Sequence, residues 1–255
     1  MVSGNKGRGN ATFLGKHTHS LQRLWREERY TVLLASIFIY VILTLLLPQK
    51  WWGHVLLDAI FLVLVFSVVF ETARIKSLFS FLGFLGILAI VGHTISILWR
   101  GSPVARSILA ISSMLFIAAA IHKISKKVLG SKVVTGDTIR GAIIIYLFIG
   151  SLFSSIYILI EIVSPGSFLI TNSAGHPVTS SISDISRLFG YFSFVTLTTL
   201  GYGDIIPIRE LSRTMAWIEA FTGQIYLAVI IARLVGIYIA QSVYSSNKQN
   251  QVDDT

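Results

Sequence analysis

The chain has 255 residues, of which 53% are hydrophobic and 13% charged, with a mean hydropathy of +0.73 and no cysteine. An ordinary soluble domain carries about 25% charged residues, so a water-soluble class is excluded, and the missing cysteines rule out disulfide frameworks and thiolate-held metals. The formal charge of +9 comes from Lys and Arg spread along polar ends and helix boundaries without a nucleic-acid module, which points to anionic lipid rather than nucleic acid as the partner.

Residues 1–29 form a polar stretch without an apolar h-region, so no signal peptide is expected and the first span itself directs insertion. Leu21, Leu24 and Trp25 alternate there with Arg23, Arg26 and Arg29, the pattern of an interfacial helix. Apolar runs at 30–47, 55–70, 78–99, 104–121, 141–163 and 214–244 then predict six spanning helices, each near the roughly 20 residues that cross a bilayer, the second being shortest. With the N-terminus inside, fifteen of the 21 Lys and Arg fall on the cytoplasmic side. That asymmetry predicts a multi-pass protein of the cell membrane with both termini in the cytosol, which leaves the formal glycosylation acceptor Asn10-Ala11-Thr12 on the unused side.

The chain divides into a tail at 1–29, a four-helix membrane domain at 30–132, a second membrane domain at 133–244 and a polar tail at 245–255. In the fourth helix, three-residue steps from Arg106 meet Leu109, Ser112, Leu115, Ala118 and Ile121. No charge ladder exists for a membrane field to act on at about 2.3 kcal/mol per charge per 100 mV. Lys123, Lys126 and Lys127 follow as a cytoplasmic anchor. Asp58 and Glu71 in the second helix have the sign of counter-charges, and His54, His93 and His176 read as structural histidines. After the fifth helix, the Ser-, Pro- and Gly-rich stretch 164–181 predicts an exposed loop. The apolar segment 183–197, short for a span at 15 residues, predicts a re-entrant helix that Ser183 or Asp184 can cap. The negative end of its dipole lies at Thr198.

That helix leads into Thr198-Thr199-Leu200-Gly201-Tyr202-Gly203-Asp204. Glycines at 201 and 203 allow positive φ, so successive carbonyls can turn to one axis, and the Thr199 hydroxyl adds an innermost oxygen; such a ring replaces a cation's hydration shell. The stretch 141–244, with its TLGYGD motif, resembles the helix, pore loop, helix module of the potassium channel family. The resemblance implies an all-α membrane protein with a re-entrant pore helix and filter between the fifth and sixth helices. It also implies a homotetramer that passes K+, the permeant ion and the sole cofactor expected. Thr199, Leu200, Gly201, Tyr202 and Gly203 are then the filter, with K+ held at the first four, and Thr198, Asp204, Tyr191 and Phe192 support it. Tyr191 can bond Asp204, and Phe192 has no donor where relatives often have tryptophan.

In the last helix, Gly223 lies where the family often has a hinge, and Gln224, Leu227 and Ile231 share one face as the expected cavity lining and gate. Arg233 reaches the inner interface and snorkels to lipid, and Glu219 needs a partner such as Arg187 or Arg213. The four-helix region resembles a voltage sensor without gating charge, so steep voltage gating is not expected. Non-selective cation conduction is the nearest alternative, Leu200 replacing the commoner valine. An intramembrane aspartyl protease of G-x-G-D type would need a second aspartate, for which only Asp58 is available and without that family's sequence context, so the expectation is a non-enzyme. A transporter would need related repeats, which are not visible.

Overall fold

The computed structural model describes residues 29–46, 51–72, 76–98, 103–131, 133–171 and 185–253. The expected interfacial helix around Trp25, the capping residues Ser183 and Asp184, and His176 lie outside them, as do the side chains of Asp58, Glu71, His54 and His93. Among these residues, seven helices and one short two-stranded ribbon follow in order: α1 Arg29–Leu46, α2 Trp51–Thr72, α3 Lys76–Leu98, α4 Pro103–Gly130, α5 Gly136–Val163, β1 Phe168–Ile170, α6 Ile185–Leu197, β2 Ile205–Pro207 and α7 Glu210–Asp253.

Local rules explain these helices. Proline opens α4, where its fixed φ suits the first turn and its missing N–H is no loss. Thr135 caps α5 through a reciprocal box with Thr138, and Asp137 adds negative charge to the first turn. Within the apolar helices, hydroxyls turn back onto their own backbone: Ser36 donates to the Val32 carbonyl at 2.7 Å, Thr44 to Tyr40 at 2.7 Å and Ser151 to Leu147 at 3.0 Å. Each polar side chain therefore crosses an apolar layer already satisfied.

Helices α1 to α4 pack on one another, and α4 and α1 pack on α5. Leu33 and Ile37 of α1, Phe61 and Leu64 of α2, Ala89 of α3 and Phe116 and Ala120 of α4 close the core between them. At one end of this bundle the Asp137 carboxylate accepts from the backbone N–H of Tyr30 at 3.3 Å, serving an orphan donor of α1, and the Lys127 ammonium sits 4.5 Å over the Tyr30 ring. Three helices are long and apolar enough among the described residues to cross a membrane: Ser107–Gly130, Gly136–Val163 and Glu210–Val243. The shorter apolar stretches Tyr30–Thr44, Ala59–Val68 and Gly83–Gly92 belong to α1, α2 and α3.

Two segments differ from the sequence reading. Part of the stretch expected as an exposed loop is a strand, with β1 antiparallel to β2 in the register Phe168↔Pro207, Leu169↔Ile206, Ile170↔Ile205. The Phe-Leu-Ile run buries Phe168 and finds a β-branched partner run in Ile205-Ile206. Residues 172–181 of that loop lie outside the described ones. The last helix also continues past Tyr244 to Asp253, so most of the stretch read as a polar tail is helical. At 44 residues, α7 is about 66 Å long, twice the hydrocarbon thickness of a bilayer.

Candidate functional site

Helix α6 positions the site. Its C-terminal turn leaves four carbonyls without helical partners, and each finds one. Phe194 O accepts from Thr198 N at 3.1 Å and from the Thr198 hydroxyl at 2.7 Å; Val195 O accepts from Leu200 N at 2.9 Å and Gly201 N at 3.4 Å; Thr196 O accepts from Thr199 N at 2.9 Å; Leu197 O accepts from the Tyr146 hydroxyl at 3.3 Å. The bonds from Leu200 N to Val195 O and from Thr199 N to Thr196 O are the paired closure of a Schellman motif, with Thr199 in the left-handed position at φ 59°. Glycine is the ordinary occupant of that position. A β-branched residue there stores strain of about 1–3 kcal/mol, as residues at functional sites do.

The following chain alternates in handedness, with φ of 59° at Thr199, 59° at Gly201 and 80° at Gly203, while Leu200 and Tyr202 keep negative φ. Peptide bonds here are trans, so a carbonyl points opposite to the next residue's N–H. Because Leu200 N and Gly201 N both bond back to Val195 O, the carbonyls of Thr199 and Leu200 are both turned away from α6. Two successive oxygens thus leave on one side, whereas an ordinary strand turns successive carbonyls to opposite sides. The segment is open within the chain, with Leu200 55% and Tyr202 67% exposed.

The far end is anchored differently. Asp204 O accepts from the Thr171 N–H at 2.9 Å and its hydroxyl at 3.1 Å, and Asp204 Oδ1 accepts from Ile205 N at 3.2 Å. The ribbon of β1 and β2 thereby clamps the exit of the loop to the end of α5. Tyr191 lies near enough to Asp204 for its hydroxyl and the carboxylate to interact, and its ring stacks on Tyr202 at 6.5 Å and 5°. Phe192 goes elsewhere. It packs edge-on against Tyr157 at 5.0 Å and Phe168 at 5.5 Å, in an aromatic cluster with Phe189 behind α6. Within the chain it supports the loop only by holding the helix that carries it.

Helix α7 lies beneath. A Cβ on Gly223 would stand 2.3 Å from the Leu197 carbonyl oxygen, so close approach to the end of α6 requires glycine at this position, and α7 runs through it as one unbroken helix. Packing is thus the role Gly223 plays in this structure, where the sequence also allowed a hinge. The next residue, Gln224, reaches the Thr199 hydroxyl with Nε2 at 3.4 Å. Leu227 and Ile231 are exposed on the chain's surface beyond it.

Sequence reasoning missed two contacts. Glu219 is 0% exposed and bonds hydroxyls: Tyr157 donates to Oε2 at 2.5 Å, and the Ser193 hydroxyl lies between Oε1 and the Gly150 carbonyl, 2.6 Å from the latter. Neither Arg187 nor Arg213 is among those bonds; Arg213 donates to Pro207 O at 3.2 Å. Arg233 donates from Nη2 to Leu129 O and, at 3.4 Å, to Ser131 O, so it ends on the C-terminal carbonyls of α4. The signal for Glu219 was a lone carboxyl in an apolar run, which demands a partner without naming it.

A family model described as an ion channel matches residues 167–240, from the turn before β1 into α7. No curated protein matches the chain. The matched segment holds β1, α6, the alternating loop, β2 and α7 as far as residue 240. Residues 167–240 are thus similar to an ion channel domain, in a chain with three helices long and apolar enough to cross a membrane among its described residues.

Proposed function

We propose that the chain is one subunit of a homotetrameric potassium channel that passes K+ passively, with Thr199, Leu200, Gly201, Tyr202 and Gly203 as its filter. The observation that carries this reading is the pair of carbonyls, Thr199 and Leu200, turned together away from α6 by the bonds of Leu200 N and Gly201 N to Val195 O. One chain supplies one arc of oxygens; a dehydrated cation needs a closed ring, which four copies about an axis provide. Residues with alternating φ at 199, 201 and 203 continue the arc outward.

Assembly has its own support. Trp217, Phe221, Ile225 and Val229 recur every fourth residue on α7 and are all more than 45% exposed in the single chain, an apolar stripe that calls for a neighbour. Six spans follow if α1, α2 and α3 cross alongside α4, α5 and α7, with both termini in the cytosol and the basic residues there facing anionic lipid. Gln224, Leu227 and Ile231 line the inner cavity in this reading, and Gly223 packs the helix against α6. Voltage dependence is shallow because the fourth helix lacks a charge ladder.

Uptake of rubidium into vesicles carrying the purified protein tests selectivity against sodium. Accumulation of Rb+ driven by an outward K+ gradient, unaffected by external Na+, is expected; equal uptake of Rb+ and Na+ would turn the reading to a non-selective cation pore.

A further inference from the structure

We propose that Gln224 is a positioning residue for the innermost cation site: its amide fixes the Thr199 hydroxyl so that an oxygen lone pair, and not the proton, faces the axis. The proposal rests on the channel reading above.

A threonine hydroxyl has one proton and two lone pairs. Here the proton is given to the Thr198 carbonyl at 2.7 Å. The Gln224 Nε2 approaches the same oxygen at 3.4 Å and, having only hydrogens to offer, occupies one lone pair. One lone pair remains, in a fixed direction. Because Thr199 sits at φ 59°, its side chain leaves the backbone in a direction that a right-handed residue would not give, and the Schellman bonds hold it there. The amide is delivered by packing rather than by chance. Only glycine at 223 lets α7 approach the Leu197 carbonyl so closely, and the Tyr146 hydroxyl bonds that same carbonyl while its ring stacks on Tyr226 at 5.9 Å. Position 224 is therefore held on the turn of α7 that touches the end of α6. Gln224 is itself exposed within the chain, so its reach to Thr199 spans the open side of the site.

Around a fourfold axis the arrangement gives a ring of amides below a ring of hydroxyls. Without the amide, a second lone pair is released and the hydroxyl is free to swing, so a bare cation meets a less ordered cage. A divalent cation of potassium's size is the sensitive probe, because its doubled charge magnifies any change in oxygen orientation.

The test is Ba2+ binding by calorimetry to the full chain in lipid nanodiscs, for wild type, Gln224→Leu, Thr199→Ala and the double variant, each first checked for the wild-type assembly size. Each single variant is expected to bind Ba2+ roughly tenfold more weakly, a loss on the scale of one hydrogen bond. The double variant is expected to bind no more weakly than Thr199→Ala alone, because the amide acts through the hydroxyl. Wild-type affinity in Gln224→Leu, or losses that multiply in the double variant, would overturn the proposal. Absence of K+-selective current in the wild type would instead sink the channel reading, so the two failures are told apart.

Discussion

Thr199 carries two tasks with one strained backbone. Its left-handed φ ends α6 in place of the glycine such a cap prefers, and it begins the alternation that turns two carbonyls to one side. The motif made the loop legible in the sequence, since glycines at 201 and 203 announce positive φ, but a threonine does not, and its conformation came only with the structure. Gly223 was ambiguous for a similar reason: a missing side chain permits bending and close approach alike, and only the 2.3 Å separation from Leu197 O decides between them. Gly223→Ala is accordingly expected to destabilise the protein by about 1–3 kcal/mol through overpacking against a backbone oxygen that cannot move aside; thermal unfolding followed by tryptophan fluorescence checks this, and an unchanged midpoint would return the position to a hinge role. Glu219 makes the sharpest residue-scale test. Ser193 has a single proton and two oxygens within reach, Gly150 O and Glu219 Oε1, so a carboxamide at 219 can donate to Ser193 and leave the Ser193 proton for Gly150. Glu219→Gln is expected to be stable, whereas Tyr157→Phe, which strips the donor from a fully buried Oε2, is expected to cost about 1–3 kcal/mol in the same assay.

At the scale of elements, the loop is held by what flanks it. Its entry is tied to α6 through Val195 O, and its exit to the β1–β2 ribbon through Asp204 and Thr171. Helix α6 was legible as a short helix because its apolar run is too short to cross and leads directly into the glycines. The ribbon was not, because three-residue strands lie inside a stretch whose Ser, Pro and Gly content reads as loop. Long-range polar contacts were equally hidden, since Tyr157 and Glu219 are 62 residues apart in sequence and Arg233 and Leu129 are 104 apart. The second of these contacts joins the end of α4 to the C-terminal half of α7. A cation on C-terminal carbonyls is stabilising, and Arg233→Ala is expected to cost about 1 kcal/mol. Arg233→Lys should recover only part of it, because both bonds come from the terminal nitrogen Nη2 and the lysine side chain, one bond shorter, ends short of that position. Full recovery by lysine would mean that charge alone matters there.

The whole molecule joins a four-helix bundle to a segment that matches an ion channel family model and whose surface is largely apolar in the single chain. Helix α7 leaves most of its described length uncovered, and the loop itself is open, surfaces that the proposed tetramer would cover. Composition and hydropathy made the membrane class and the number of apolar runs legible, while symmetry lies outside what one chain can display. Current through the protein should rise only shallowly with voltage, since the fourth helix offers no ladder of arginines; a conductance curve with several gating charges per subunit would contradict that. The most direct measurement is the reversal potential of the purified protein in planar bilayers between K+ and Na+ solutions. A reversal near the K+ equilibrium potential, lost in Gly201→Ala because alanine resists the φ of 59° at that position, is the predicted result; a reversal near zero in the wild type would contradict the account.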